Sequence, residues 1–140
     1  MNQKLLDKYL FLFGSGGLLY ILIELIWRGY SHWTMFALGG ICFVFLGLIN
    51  EILPWQMPLW MQVVIGAIGI TILEFLTGCV VNRWLGWGVW DYSNLPGNFL
   101  GQICPQYFCA WLFIALLAVF LDDGLRVLAL GESLPHYSLF

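Results

Sequence analysis

Charge is what this chain has least of. Of its 140 residues, five are Lys or Arg and eight are Asp or Glu, 9 % together, where an ordinary soluble domain carries roughly a quarter. So few charges cannot coat a water-facing surface, which excludes a soluble enzyme and a disordered chain. The basic residues stand singly, with no stripe to neutralise phosphates, and nucleic acid is excluded as a partner. His-x-x-x-His, Cys-x-x-Cys and Glu-x-x-His are all absent, so no transition-metal set of familiar spacing exists. Neither histidine lies within an apolar run as an axial haem ligand would, and no cofactor is expected. A phosphate-cradling Gly-x-x-x-x-Gly-Lys is missing too.

What is present is hydrocarbon. Apolar residues make up 61 % and the mean hydropathy is +0.88. A helix needs roughly 20 mainly apolar residues to cross a bilayer, and such runs fall at about 9–27, 33–53, 59–81 and 103–121. The expected fold is therefore an all-α integral membrane protein, a four-helix transmembrane bundle forming one domain. Trp27, Tyr30, Trp33, Trp55, Trp60, Trp84 and Trp87 flank these runs as an aromatic belt would. The first run follows Lys4 and Lys8, but no small-x-small cleavage site comes after it, so it reads as a retained helix.

Four spans put both termini on one side, with the short Asn50 to Pro58 turn. Lys4, Lys8 and Arg126 then face Arg28 and Arg83 across the membrane, a bias that places the termini in the cytoplasm. The 82–102 segment, rich in Gly, Trp, Asn and Pro, is expected as an ordered outer loop. It either lies in the interface or dips back into a protein-lined cavity. Residues 122–140 read as a cytoplasmic tail, an amphipathic helix ending at Gly131 and Pro135.

A shift of fifty positions lays Gly16, Ile23, Glu24, Leu25 and Ile26 on Gly66, Leu73, Glu74, Phe75 and Leu76. This echo suggests two helical hairpins running parallel. With or without duplication, spans one and three run the same way, so Glu24 and Glu74 reach similar depth. A carboxylate at mid-span costs roughly 2.5–3.5 kcal/mol on insertion scales, less toward an interface. Glu24 has Arg28 one turn later in the favourable order, whereas Glu74 has no local base nearer than Arg83. Two alternatives follow. Either the acids line an outward-facing cavity that takes a cation, proton or amine, or each acid is held by Arg or backbone and fixes helix register.

Most other polar residues gather on that same side: His32, Asn82, Arg83, Asp91, Tyr92, Asn94, Asn98 and Gln102. Together with Glu24, Arg28 and Glu74 they form the candidate ligand site; none is assigned a catalytic role and none a metal. The four cysteines read as small apolar packing, though Cys79 and Cys104 approach the same side and could pair. Gly14-Ser15-Gly16-Gly17, Gly39-Gly40, Gly66 and Gly69 would let helices approach closely.

The succession Glu24, Arg28-Gly29-Tyr30-Ser31-His32-Trp33, Glu74-Phe75, Thr77-Gly78, Asn82, Trp90-Asp91-Tyr92-Ser93, Asn98 and Gly101-Gln102-Ile103-Cys104, with Pro135-His136-Tyr137 behind it, resembles a family of small bacterial membrane proteins. The family carries the names putative ABC-transporter type IV and ABC transporter permease. That resemblance implies a permease-like component in the bacterial plasma membrane, binding or moving a small molecule or lipid. Energised transport would then take other transporter subunits or several copies of this chain. A fainter similarity, through Glu74, Thr77-Gly78, Gly88, Trp90 and Tyr92, is to membrane enzymes that hydrate or cyclise carotenoid ends. It implies the alternative of acid catalysis on a lipid or isoprenoid, with Glu74 or Asp91 as proton donor. A third reading is a structural or regulatory subunit of a membrane complex.

Overall fold

The computed structural model describes residues 2–52 and 58–132. Four α-helices run through them: α1 (Gln3–Trp27), α2 (Trp33–Ile52), α3 (Leu59–Gly78) and α4 (Pro105–Leu130). By length and composition Gln3–Trp27, Leu59–Trp84 and Pro105–Leu130 are each able to cross a membrane, and Trp33–Ile49 is a shorter apolar helix. Their outward faces are lipid-like: Leu18, Ile26, Trp60 and Phe113 are all more than half exposed. In water that surface would cost more than folding returns; in a bilayer it is the solvent-matched face.

The helices pair as two hairpins. α1 lies along α2 and α3 along α4, while α2 touches both α3 and α4. Small residues set the first hairpin. A Cβ on Gly16 would stand 2.9 Å from the Gly39 carbonyl oxygen, and one on Gly39 would stand 3.1 Å from that of Gly16. Backbone meets backbone there, as the glycine pattern anticipates. Across the hairpins the core is Met35, Leu38, Cys42 and Leu46 of α2 against Ala67 and Ile70 of α3 and Trp111 and Ala115 of α4.

Two boundaries differ from the sequence reading. α3 does not stop at Val81 but widens into a π-helical turn, Cys79–Trp84. The looser turn swings Asn82 toward the chain that follows, and such turns are frequent at functional sites. At the other end α4 continues past Leu121 to Leu130, where Gly131 caps it with φ +68°. Residues 122–130, expected as a short helix of their own after the last span, are the last turns of α4. Nothing among them breaks a helix, and Asp122, Asp123 and Arg126 turn inward and are buried. Arg126 bonds Asp122 at 2.9 Å, reaches Glu132 at 3.6 Å, and Glu132 meets Lys8 of α1 at 2.6 Å. The Gly131 stop agrees with expectation. Trp55, most of the Asn50 to Pro58 turn, and the tail with Pro135, His136 and Tyr137 lie outside the described residues.

The segment between the π turn and α4 folds back onto the bundle. Val89, Trp90 and Gln102 are buried, and the absence of a side chain at Gly78 admits the Gln102 amide and the Trp90 ring. Through these residues the loop packs against the end of the bundle, while much of 83–100 is exposed.

Candidate functional site

Glu24, Arg28, Glu74 and the loop all sit at one end of the bundle. Tyr20, Glu24 and Arg28 recur every four residues and so share one face of α1. Arg28 forms an ion pair with Glu24, donates from Nη1 to the Val89 carbonyl at 3.1 Å and lies over the Tyr30 ring at 4.5 Å. The Tyr20 hydroxyl is within hydrogen-bonding reach of the same Glu24 carboxylate. Glu24 thus keeps the local partner that the sequence indicates.

Glu74 does not use Arg83. It is 2 % exposed, accepts the Tyr92 hydroxyl at 3.0 Å and accepts the Trp111 indole N–H at 3.2 Å. Arg83 donates instead to the Leu100 carbonyl at 3.3 Å and is exposed. Trp111 in turn faces Tyr20 with ring centroids 5.8 Å apart. A chain of contacts therefore links the two acids: Glu24, Tyr20, Trp111, Glu74. The carboxylates are close enough to act on one another electrostatically.

Beside this chain lies a cleft of about 150 Å³, walled by Tyr20, Glu24, Trp27, Tyr107 and Trp111 with Ile23 and Ile114. Glu24 lines it; Glu74 stands behind the Trp111 wall. The expectation that both acids face one cavity is thereby narrowed to Glu24 in the cleft and Glu74 as the group that orients a wall.

The remaining candidates divide by what they bond. Asn82 takes the Val89 N–H at 2.6 Å, lies 3.4 Å from the Trp90 N–H and donates to Gln102 at 2.8 Å. The Gln102 carbonyl receives the Trp90 indole at 3.1 Å. Asn98 donates to the Leu95 carbonyl at 2.8 Å and accepts the Gly101 N–H at 3.0 Å. These three amides hold the loop in shape. Tyr92 stacks on Tyr107 at 4.5 Å, nearly parallel. Burial, and then the Glu74 carboxylate, pushes its phenol well above the ordinary range.

Asp91 is exposed and accepts the Ser93 N–H at 2.9 Å, and the Ser93 hydroxyl as well. Those bonds favour its charged form and hold its pKa below the usual carboxylate value. Asn94 is exposed. His32 precedes α2, its Nδ1 taking the Thr34 N–H at 3.3 Å and lying 2.7 Å from the Thr34 hydroxyl. That is an N-cap role, and the ring also packs against Trp33 and Trp87. All four cysteines are free thiols. Among the described residues no cluster of His, Cys, Asp or Glu is placed to hold a metal ion.

Sequence reasoning passed over the cleft walls. Tyr20 had a signal, its i to i+4 spacing from Glu24. Trp111 had another: a tryptophan inside an apolar run instead of at its edge, carrying one N–H that hydrocarbon cannot satisfy.

Helices of this length and hydropathy mark a small helical membrane protein. More particularly, residues 2–125 match the family described as "Putative ABC-transporter type IV", and the chain belongs to that family. No solved structure matches the chain.

Proposed function

We propose that this chain is the ligand-binding membrane component of a transporter, and that its ligand presents an organic ammonium group to Glu24. One observation carries the reading: a carboxylate at the wall of a cleft that Tyr20, Trp27, Tyr107 and Trp111 line together with the aliphatic Ile23, Ala110 and Ile114. Aromatic faces attract a cation through their quadrupoles, by about 2 kcal/mol or more where water is excluded. A carboxylate among them supplies the countercharge. An anion would meet the negative faces of the rings and Glu24 together, and is disfavoured.

The acids act as a pair with divided labour in this reading. Glu24 meets the ligand, with Arg28 neutralising it when the cleft is empty. Glu74 fixes the Trp111 and Tyr92 rings from behind. Arg83, Asp91, Asn94 and the loop amides Asn82, Asn98 and Gln102 shape the mouth, and His32 caps the helix beside it. The Lys and Arg distribution supports a plasma-membrane orientation with cytoplasmic termini and an outward-facing mouth. Partner subunits or further copies of the chain would supply the energised step.

The test is thermal melting of the purified protein in detergent with tetramethylammonium chloride or butylammonium chloride, against sodium chloride at equal ionic strength. Either organic cation is expected to raise the melting temperature of the native protein and to leave that of Glu24→Gln unchanged. A native protein indifferent to both cations sinks the reading.

A further inference from the structure

A second cavity runs on from the cleft. It encloses about 120 Å³ and shares four walls with it: Tyr20, Ile23, Trp111 and Ile114. From that junction it descends between α1 and α4, with Leu19 and Ile23 on one side and Leu117 and Leu121 on the other. Cys42 and Leu46 of α2 form part of its floor. Apart from the Tyr20 hydroxyl at the junction its lining is hydrocarbon, aromatic ring, glycine and one thiol. Trp111 to Leu121 spans about 15 Å along the helix at 1.5 Å per residue.

The groove opens sideways. Ile23, Leu117 and Leu121 are each 42–48 % exposed, and that exposure faces the direction in which the helices meet lipid. The hairpin pairing explains the opening: α1 is fastened along α2 and α3 along α4, and α1 and α4 pack only sparsely on one another. An apolar slot open to acyl chains, ending in an aromatic cleft with a carboxylate, matches one kind of molecule in both its parts.

Resting on the ammonium reading above, we propose that the ligand is a long-chain amphiphile, an alkyl or prenyl chain bearing an ammonium head. It enters laterally from the bilayer, lays its chain in the α1–α4 groove and sets its head against Glu24. The protein carries another apolar groove, lined by Leu10, Phe13, Ile41 and Leu48, without a charged group in its walls. Of these two grooves the α1–α4 one joins a hydrocarbon slot to a countercharge, and the other serves as an internal control.

The experiment is native mass spectrometry of the full chain released from detergent, titrated with hexadecylamine, hexadecanoate and butylamine. Three variants accompany the native protein. Ala118→Phe fills the groove and leaves Glu24 and Arg28 intact; Ile41→Phe fills the control groove; Glu24→Gln removes the countercharge. One hexadecylamine per chain is expected on the native protein and on Ile41→Phe. Retention should fall about tenfold in Ala118→Phe, and at least as far in Glu24→Gln, as the loss of a charged contact dictates.

Undiminished hexadecylamine retention by Ala118→Phe would overturn the groove assignment. If Glu24→Gln still lost it, the ammonium site itself would stand. Hexadecanoate retained as well as hexadecylamine overturns the head chemistry and the ammonium reading together. An equal loss in Ile41→Phe and Ala118→Phe overturns the choice of groove.

Discussion

Trp111 and Glu74 are thirty-seven positions apart, on α4 and α3, and are joined by an indole N–H donated to a carboxylate oxygen at 3.2 Å. Neither group fits hydrocarbon alone. The acid would carry an uncompensated polar end and the indole an unmet donor, and a buried polar group left without its partner costs about 1–3 kcal/mol. Paired, they fix the rotation of Trp111 and with it one wall of the cleft.

Removing the acid should therefore disturb the wall more than it disturbs the fold. Glu74→Leu leaves both Trp111 and Tyr92 without an acceptor, and a stability loss of about 2–4 kcal/mol is expected. Glu74→Gln keeps an acceptor oxygen and should lose about half as much. Chemical unfolding in mixed micelles measures both, and near-ultraviolet circular dichroism reports the released indole. If Glu74→Leu melts as the native protein does, the two bonds carry no weight.

Gly16 and Gly14 are two residues apart and should behave oppositely. A Cβ on Gly14 meets nothing within 4 Å, so Gly14→Ala should stabilise by up to about 1 kcal/mol through helix propensity. On Gly16 the same atom strikes Phe43 and the Gly39 backbone, and Gly16→Ala should cost about 1–3 kcal/mol as overpacking does. Equal effects at the two sites would contradict the close approach of α1 and α2.

Asn82 holds the loop through three partners, and Asn82→Ala should release it without unfolding the helices. Hydrogen exchange is the direct measurement. Protection of the Val89 and Trp90 amides should drop by about ten- to a hundredfold, matching about 1.4–2.8 kcal/mol. Amides within α2 should keep theirs.

The Tyr92 phenol gives an alkaline signature. Its folded value is raised above the unfolded value of about 10 by burial and by Glu74. The stability it contributes is fully present below about pH 10 and is lost as pH rises from there toward the folded value. Tyr92→Phe has nothing to ionise. The native protein's advantage over this variant should stay constant through neutral pH and shrink above about pH 10, as read from paired melting curves. A constant difference through pH 11 would contradict the assignment.

Much of this was readable from hydropathy alone, because the bilayer constrains a chain severely. The helices, their order and the Glu24–Arg28 pair all follow from run length and i to i+4 spacing. The site divided differently. Glu24 stood out because charge in an apolar run is conspicuous; Trp27 and Tyr107 did not, since aromatics near membrane edges are ordinary, and Trp111 was read only as part of its apolar run. Asp122, Asp123 and Arg126 were misplaced for a related reason. Three charges in one short stretch read as a water-facing surface, whereas here the Asp122–Arg126 pair lets them turn inward where Gly47 leaves room. Which amide of the loop meets which backbone group is a matter of tertiary geometry, and one sequence carries no trace of it.

The helix α1 is tied at both ends to the opposite hairpin. Near its start Lys8 grips Glu132 beyond α4, and just past its close Arg28 grips the Val89 carbonyl of the loop. A bar pinned at both ends cannot swing away like a door. To widen the seam beside α4 it must bow, and the bow would centre on Gly14, Ser15, Gly16 and Gly17, halfway along it. The residues that bring α1 down onto α2 thus lie at the middle of one wall of the groove, so a closer fit in the first hairpin stiffens the threshold of the groove.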